Sequence, residues 1–305
     1  MSNIVFGKPL SDKFTEQLKF EFSKLPNLNS KKIVIIQIGD DIGSTKYIEL
    51  KTKKAKEFGI NLEHLKYEIS VSEFEILEKI AKLNIDENVI GIMIQSPIAN
   101  LDLETLCNAI IPSKDFDGMG KDAIVLPAVD VGILSILEYV LLIKDENGNV
   151  DGFNPPYPAH LDSQLNRSKP VASRPFPGKG EFSKLEGIKE KEICIVNDSI
   201  ILGKPLAKYL LSIGCHVNVC NKYTPDISVF TKEADILISG TGVAGLITAE
   251  IVKPGVIAID CGFPTGDCDE SVFQKAKAIT PVPGGVGPLT VTCLFENLLT
   301  LIKNK

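Results

Sequence analysis

Short runs of β-branched residues alternate along most of this 305-residue chain with longer stretches of helical periodicity. This alternation predicts an α/β fold with parallel sheets, because parallel strands need a crossover that is usually a helix. The predicted strands are Ile33–Ile38, Val89–Gln95, Glu192–Val196, His216–Cys220, Asp235–Ser239 and Val256–Asp260. The predicted helices include Leu10–Leu25, Ser44–Phe58, Glu73–Leu83, Val131–Leu142, Pro205–Ile213 and Val291–Ile302. The length suggests about two domains.

Residues 144–186 interrupt the pattern. They are rich in Pro, Gly, Asn, Ser and Lys and show little periodicity. A structureless stretch of this length is uncommon inside a compact domain, so we interpret it as an insert or long loop between two α/β halves. A surface loop, a lid and a contact between subunits all remain possible roles for it.

A Pro-Gly loop follows the last strand-like run and spans residues 279–290, with the sequence ITPVPGGVGPLT. Its three prolines lack N–H donors, and its three glycines open backbone conformations that other residues avoid. We therefore expect an irregular, rigid backbone that a flat ligand can approach closely. An ordinary turn is the alternative, although a turn needs fewer special residues.

Tyr47 and Lys51 stand four residues apart in the first helix after a strand, so they share one helix face. An aromatic ring beside an amine can stack on a planar heterocycle while the amine transfers protons. Ser44 is the predicted N-cap of this helix, and Gly59 is placed where it would end. The neighbouring lysines at 53, 54 and 56 indicate either a solvated face or an attraction for an acidic ligand.

The spacing Tyr-x-x-x-Lys also occurs in short-chain dehydrogenases, where a glycine-rich dinucleotide loop lies upstream. Here the pair precedes any such loop, which excludes that class. Two further polar residues follow: Gln95 ends a predicted strand in GIMIQSPI, and Asp117 lies in a loop in PSKDFDGMG. Ligands of open α/β sheets bind at the carboxyl ends of strands, where Gln95 is expected.

The order Tyr47, Lys51, Gln95, Asp117 and then the Pro-Gly loop resembles, piece by piece, the active site of the bifunctional methylenetetrahydrofolate dehydrogenase/methenyltetrahydrofolate cyclohydrolase family. The resemblance implies that Tyr47 stacks on the pterin and that Lys51 is the central catalytic group. It implies that Gln95 holds and tunes Lys51, and that Asp117 accepts hydrogen bonds from the amino edge of the pterin. The loop residues implied in substrate binding are Pro281, Gly284, Gly285 and Val286.

The resemblance also implies two activities. One is NAD(P)-dependent oxidation of methylenetetrahydrofolate to methenyltetrahydrofolate, and the other is hydrolysis of the methenyl form to formyltetrahydrofolate. A neutral lysine could accept the proton of the water that adds to the cationic methenyl carbon. An exposed lysine titrates near ~10.4, so burial or a nearby cation must lower its pKa for that role.

The architecture implied by the resemblance has two lobes with the active site in the cleft between them. Residues 1–125, completed by the C-terminal helix 286–305, would form the folate-binding catalytic lobe. Residues 187–285 would form a Rossmann-like NAD(P)-binding lobe, through which two copies would associate as a homodimer.

The turn after the strand Glu192–Val196 departs from the family, which carries a Gly-Arg-Ser-like sequence there. Ser199, Gly203 and Pro205 match, but Asn197 and Asp198 replace the glycine and the arginine. Asparagine tolerates a left-handed φ, so the turn can survive the first replacement.

The charge at this turn leaves the choice of nucleotide open. A carboxylate at Asp198 would repel the extra phosphate of NADP, the family's expected cofactor. The end of the next strand, however, carries Asn221-Lys222 instead of the acidic residue that usually binds the ribose of NAD. NADP is expected, with NAD possible; the other residues expected near the cofactor are Ser199, Gly240, Thr241 and Phe263.

Composition restricts the other functions. A net charge of −6 argues against general nucleic-acid binding, and no apolar run is expected to span a membrane. The seven cysteines contain no CxxC pair, which favours reduced core thiols. With no signal-peptide pattern, we expect a cytoplasmic protein. The three histidines, at 64, 160 and 216, are isolated from one another, and no metal site is expected.

Two rival functions remain. The first is a cyclohydrolase that has lost its dehydrogenase half at Asn197-Asp198. The second is a non-catalytic folate-binding protein that has kept the fold. The set Tyr47, Lys51, Gln95 and Asp117 favours an enzyme.

Overall fold

A computed structural model of the chain describes residues 3–142 and 186–304. The insert predicted at 144–186 therefore lies outside the described residues, except for its last position. By their contacts, the described residues form two compact units. The three-stranded unit contains residues 13–128 and 291–304, and the six-stranded unit contains residues 3–12, 129–142 and 186–290.

The strands, in chain order, are β1 (Asn3–Ile4), β2 (Lys32–Ile38), β3 (Asn61–Tyr67), β4 (Val89–Gln95), β5 (Glu192–Val196), β6 (His216–Cys220), β7 (Ile236–Ser239), β8 (Ile257–Asp260) and β9 (Ala278–Ile279). The helices are α1 (Gly7–Ser23), α2 (Ile42–Glu57), α3 (Glu73–Ile85), α4 (Leu103–Asn108), α5 (Ala128–Leu142), α6 (Gly203–Ser212), α7 (Ser228–Thr231), α8 (Val272–Lys275) and α9 (Val286–Lys303).

The three-stranded unit has the strand order β3-β2-β4, and every pairing is parallel. Its central strand β2 and strand β4 are almost wholly buried, as expected of parallel strands covered on both faces. The edge strand β3 reads NLEHLKY and exposes the polar residues Asn61, His64 and Lys66, which explains why its sequence did not predict a strand. The core contains Val34, Ile36, Ile76, Ile80, Ile92, Ile94 and Leu106.

The six-stranded unit has the order β1-β9-β8-β7-β5-β6, and all its strands are parallel. The chain leaves β6 and returns to the other side of β5 to form β7. The order thus reverses between β5 and β7, which is the topological switch point where open α/β sheets bind ligands. The α/β fold class with two parallel sheets, one of them Rossmann-like, is confirmed, and each predicted strand agrees with the structure to within one residue.

Helix α9 begins at Val286, five residues before the predicted start at Val291. The Pro-Gly sequence suggested a loop as far as Thr290. Pro288, however, is the third residue of the helix, where a backbone N–H has no intrahelical partner and proline is tolerated. The irregular part of the Pro-Gly loop is therefore limited to residues 280–285.

Helix α9 also corrects the expectation that no apolar segment is long enough to span a membrane. Its 18 residues pass that test by length and composition, but 67% of the helix is buried inside the protein. Phe295, Leu298 and Leu294 are among its fully buried side chains. We therefore interpret α9 as a core helix.

The Pro-Gly loop is held against the start of the chain by backbone hydrogen bonds. Gly7 N–H donates to Gly284 O at 2.9 Å, and Val5 N–H donates to Ile279 O at 2.8 Å. Gly285 N–H closes the loop on Pro281 O at 2.7 Å. A Cβ at Gly7 would lie 2.0 Å from Gly285 O, so the close approach of the two segments requires glycine there.

We expect Gly7→Ala to lower the Tm by at least about 3 °C, because overpacking against backbone typically costs about 1–3 kcal/mol. The control is Gly132→Ala in helix α5, where an added Cβ meets its nearest neighbour at an ordinary 3.6 Å. This control should keep or raise the Tm, since alanine is the better helix former. Differential scanning calorimetry measures both; equal melting of Gly7→Ala and wild type would contradict the account of the loop.

Candidate active site

A buried lysine–amide pair lies at the carboxyl end of β4. Lys51 Nζ donates a hydrogen bond to Gln95 Oε1 at 2.7 Å, and each residue is only 7% exposed. Gln95 Nε2 donates to the carbonyl oxygen of Ser96 at 2.7 Å. Because a carbonyl can only accept, this bond fixes the amide with its oxygen toward the lysine. The predicted pairing of Lys51 and Gln95 is thus present in the fold.

Helix α2 is anchored so that Lys51 faces β4. Its N-cap is Asp41, whose Oδ1 accepts from Ser44 N–H at 2.6 Å, and not Ser44 as the sequence suggested. The helix begins two residues earlier, which leaves the Ser44 hydroxyl to donate to Ser96 O at 3.1 Å. The carbonyl of Ser96 therefore joins the first turn of α2 to the end of β4. The helix ends at the predicted place, with Gly59 at φ +71°.

Asp117 lies in the loop after α4, as predicted, and is half-buried. The loop is shaped by Asp115, whose carboxylate accepts from Gly118 N–H at 2.9 Å and from Gly120 N–H at 2.7 Å. Gly118 has φ +74°, and a Cβ there would lie 2.5 Å from Leu126 O. These constraints hold the Asp117 backbone in one place, where its carbonyl accepts from Ala128 N–H at 3.2 Å.

Lys51 and Asp117 each influence the pKa of the other. Burial lowers the pKa of Lys51 to about 8, and the charge of Asp117 opposes that shift. Burial raises the pKa of Asp117 to about 6; Lys51 opposes this shift and Asp115 adds to it. Both groups therefore titrate close to neutral pH, which is the property required of groups that bind and transfer protons.

Tyr47 is half-buried and lies one helical turn before Lys51 on α2. Its side chain thus shares the face that carries the buried amine, as the four-residue spacing predicted. The Pro-Gly loop residues Pro281, Gly284, Gly285 and Val286 belong to the six-stranded unit. Their place beside Tyr47 and Lys51 remains a prediction.

The turn after β5 is closed by the side chain of Asn197. Its Oδ1 accepts from Ser199 N–H at 2.8 Å and from Gly203 N–H at 3.1 Å, and its Nδ2 donates to Gly240 O at 2.6 Å. Asn197 does not use the left-handed φ that asparagine tolerates: within residues 3–142 and 186–304, the non-glycine residues with positive φ are Asn27 and Asn100. Asparagine replaces the family's glycine by supplying hydrogen bonds across the switch point.

The turn after β7 is held by Asp267, which the sequence did not single out. Its Oδ2 accepts from Thr241 N–H at 2.6 Å and from Thr241 Oγ1 at 2.9 Å. Its Oδ1 accepts from Gly242 N–H at 2.9 Å. The run GDCD could have indicated a loop-fixing carboxylate, because Asp commonly accepts from nearby backbone N–H groups. Phe263, also expected near the cofactor, is 54% exposed.

Neither described histidine is a candidate ligand. His64 Nε2 lies 2.9 Å from Gln37 Oε1, and His216 Nδ1 lies 3.2 Å from Glu192 Oε1; His160 lies outside the described residues. Across the part of the chain that the structure describes, no three His, Cys, Asp or Glu side chains are grouped to hold a metal ion.

Two family models match the chain. Residues 5–117 match the tetrahydrofolate dehydrogenase/cyclohydrolase catalytic domain, and residues 183–305 match the NAD(P)-binding domain of the same family. The chain belongs to the tetrahydrofolate dehydrogenase/cyclohydrolase family. It is therefore an NAD(P)-dependent methylenetetrahydrofolate dehydrogenase and methenyltetrahydrofolate cyclohydrolase, with folates as its small-molecule substrates.

Similar proteins of known name agree with this assignment. The "Bifunctional protein FolD" of Limosilactobacillus reuteri is 36% identical over 316 residues, which cover 99% of this chain and 98% of the relative. That of Aquifex aeolicus is 36% identical and covers 100% of this chain and 97% of the relative. The crystal structure of the bifunctional FolD of Campylobacter jejuni is 31% identical, with a TM-score of 0.74 and coverage of 100% and 99%.

The pKa of Lys51 predicts how a Lys51→Met substitution changes stability with pH. The folded-state pKa lies below the value of 10.5 for the unfolded chain. Between about pH 8 and 10.5, the unfolded chain therefore binds more protons at this lysine than the folded chain does. The free energy of unfolding of wild type consequently rises with pH in that window because of Lys51. The Tm of the variant relative to wild type should be highest at pH 7 and should decrease toward pH 10, measured by thermal melting.

The matched control is Lys114→Met. Lys114 is 6% exposed, and its Nζ donates to Leu83 O at 2.9 Å and to Asp86 O at 2.7 Å. Removing the Lys114 ammonium takes a hydrogen bond away from the carbonyl oxygens of Leu83 and Asp86, so the Tm should fall at both pH 7 and pH 10. A pH-independent difference between Lys51→Met and wild type would contradict the lowered pKa of Lys51.

Proposed function

We propose that Lys51, in its neutral form, is the general base of the hydrolytic half-reaction. The observation that carries this role is the 2.7 Å hydrogen bond from Lys51 Nζ to Gln95 Oε1 in a site where both side chains are 7% exposed. Burial holds the pKa of Lys51 at about 8, so a useful fraction of the amine is neutral at physiological pH.

In this mechanism, Lys51 Nζ takes the proton of the water whose oxygen bonds to the cationic methenyl carbon. The resulting ammonium stays hydrogen-bonded to Gln95 Oε1, whose orientation is fixed by Ser96 O. Lys51 then gives that proton to the ring nitrogen that leaves. It takes the remaining hydroxyl proton of the adduct as the C–N bond breaks and the formyl C=O forms, and it releases this proton to solvent. Gln95 thus positions the amine in both of its protonation states.

Asp117 and Tyr47 would bind the pterin. Ionised Asp117 accepts two parallel hydrogen bonds from an amino-pyrimidine edge, and its pKa of about 6 keeps it ionised at neutral pH. The half-buried ring of Tyr47 offers an apolar face for stacking one helical turn from the amine. Pro281, Gly284, Gly285 and Val286 would complete the substrate site, because the absence of a Cβ at the two glycines permits close approach.

The dehydrogenase half would use the carboxyl edge of the six-stranded sheet. The nucleotide, when bound, accepts the hydride of the methylene carbon. Asn197, Asp198, Ser199 and Asn221 would hold its adenosine part. Gly240, Thr241 and Phe263 would lie along the rest of the nucleotide. Asn197 holds Gly240 in place, and Asp267 holds Thr241. The chain's contribution to this step is alignment.

We also propose a homodimer formed through the six-stranded unit. Strand β6 is the edge of its sheet, and Val219 on that strand is 42% exposed. Leu211 on the adjacent helix α6 is 56% exposed, and Val229 on α7 is 63% exposed. An exposed edge strand flanked by apolar side chains favours association with a second copy.

A cytoplasmic location fits the thiol content. All seven cysteines are free, and five of them are buried. Burial raises the pKa of the Cys107 and Cys194 thiols, so these groups stay protonated and unreactive. Free thiols without disulfides are typical of reducing compartments.

We expect Lys51→Met to reduce kcat for methenyltetrahydrofolate hydrolysis by about 10²–10⁴-fold, the usual contribution of general base catalysis. The assay follows loss of methenyl absorbance without nucleotide, and equilibrium binding of the folate should change far less than kcat. The control, Lys82→Met, removes an exposed lysine of α3 whose nearest carboxylate is 3.9 Å away and should leave kcat unchanged.

Hydrolysis at the wild-type rate in Lys51→Met would refute the assignment of the base. The family membership of both domains favours the bifunctional enzyme over the two rivals, a cyclohydrolase alone and a non-catalytic folate-binding protein.

A further inference from the structure

The carboxyl ends of three neighbouring strands in the six-stranded unit carry a polar set that fits the adenosine part of a dinucleotide. Asp198 follows β5, Asn221 follows β6 and Thr241 follows β7. The ten-residue helix α6 starts beside the first turn, so the positive end of its dipole favours a phosphate there. The ribose hydroxyls of a dinucleotide need hydrogen-bond acceptors, and its phosphates need donors. The side chains at these strand ends and the start of α6 supply both.

The first turn donates less to a ligand than a typical dinucleotide loop does. Ser199 N–H and Gly203 N–H both donate to Asn197 Oδ1, and Lys204 N–H donates to Ser199 O at 3.0 Å. Pro205, the third residue of α6, has no N–H. Recognition of the nucleotide at this turn must therefore depend more on the side chains around it.

Asp198 is the exposed side chain that points along this edge toward β6. Its Oδ2 accepts from Asn221 Nδ2 at 3.0 Å. Asn221 is itself held, because its Oδ1 accepts from Tyr223 N–H at 2.9 Å and its backbone N–H donates to Thr224 Oγ1 at 3.0 Å. The amide of Asn221 thus has its NH₂ group toward Asp198 and keeps the carboxylate at the end of β6.

The end of the second strand is where Rossmann domains place the acid that accepts from a ribose 2′-hydroxyl. Here the strand itself supplies no acid, since Asn221 and Lys222 follow it. The carboxylate comes instead from the preceding turn, through Asp198, and Asn221 positions it. A sequence pattern that requires an acidic residue at the end of β6 therefore does not detect this arrangement.

Lys222, the cation next to Asn221, does not form an ion pair with the carboxylate of Asp198. Lys222 is exposed, and its Nζ lies 5.0 Å from the centre of the Tyr223 ring. Tyr223 is 78% exposed, so the ammonium beside its ring lies in solvent. A 2′-phosphate at the end of β6 would meet the fixed negative charge of Asp198.

We propose that Asp198, positioned by Asn221, selects a nucleotide with a free 2′-hydroxyl, so that this enzyme uses NAD in preference to NADP. The inference rests on the dehydrogenase reaction assigned above. Asp198 Oδ2 keeps its hydrogen bond from Asn221 Nδ2. The carboxylate also accepts a hydrogen bond from the ribose 2′-hydroxyl of NAD, and its charge repels the 2′-phosphate of NADP.

The test is a comparison of dissociation constants for NADH and NADPH, measured by isothermal titration calorimetry on the full-length protein. Wild type should bind NADH at least about tenfold more tightly than NADPH, since a lost hydrogen bond and a like-charge contact each cost about that much. Asp198→Asn should bring the two constants within about threefold of each other, and Asp198→Arg should favour NADPH.

The control is Lys222→Ala, which should keep the preference for NADH. Circular dichroism spectra and melting curves matched to wild type show that each variant is folded. Equal binding of both nucleotides by wild type, a preference for NADPH, or selective loss of NADPH binding in Lys222→Ala would each overturn the inference. Binding of neither nucleotide would overturn it as well. Nucleotide-free hydrolysis of methenyltetrahydrofolate reports on the proposed base separately.

Discussion

The hydrogen bond between Lys51 and Gln95 is the interaction on which the proposed chemistry of the three-stranded unit depends. An amine taken out of water loses hydration, and one neutral amide oxygen replaces only part of it. The pKa of Lys51 therefore falls to about 8, although the charge of Asp117 opposes the fall. An amine in water would remain protonated at neutral pH, and an amine paired closely with a carboxylate would do so as well.

The surrounding fold serves to keep that pair in place. Parallel strands β2 and β4 form a buried sheet whose carboxyl edge carries Gln95, and Ser96 O receives hydrogen bonds from both Gln95 and Ser44. Buried Asp115 shapes the loop that carries Asp117 through backbone N–H groups. The placement of Gln95 and Asp117 thus depends on hydrogen bonds to backbone groups, which apolar packing alone would not fix.

Sequence patterns predicted the strands well, because buried parallel strands such as Glu192–Val196 are continuous apolar runs bounded by turns. They also predicted the Lys51 face and the strand-end position of Gln95. The edge strand β3 was not predicted, since its exposed side chains are polar. The start of α9 and the cap at Asp41 were also missed, because several residues near a helix end can serve as its boundary or cap, and tertiary contacts decide between them.

The turn after β5 shows why side-chain roles are harder to predict than elements. Asn197 tolerates the backbone conformation of a glycine, but here its side chain instead makes four hydrogen bonds. The three on its Oδ1 are local, whereas the bond from its Nδ2 to Gly240 O spans 43 residues of sequence. Asp267 and Asn221 act in the same way, through hydrogen bonds that become visible only once the strands are aligned.

The most direct test of the central claim is the pH dependence of kcat/KM for methenyltetrahydrofolate hydrolysis in wild type and in Gln95→Glu. In wild type, kcat/KM should rise through about pH 8 as Lys51 loses its proton. A carboxylate in place of the amide would stabilise the ammonium, so the rise in Gln95→Glu should move to higher pH. Identical profiles in the two proteins would contradict the account of Lys51 as a base tuned by Gln95.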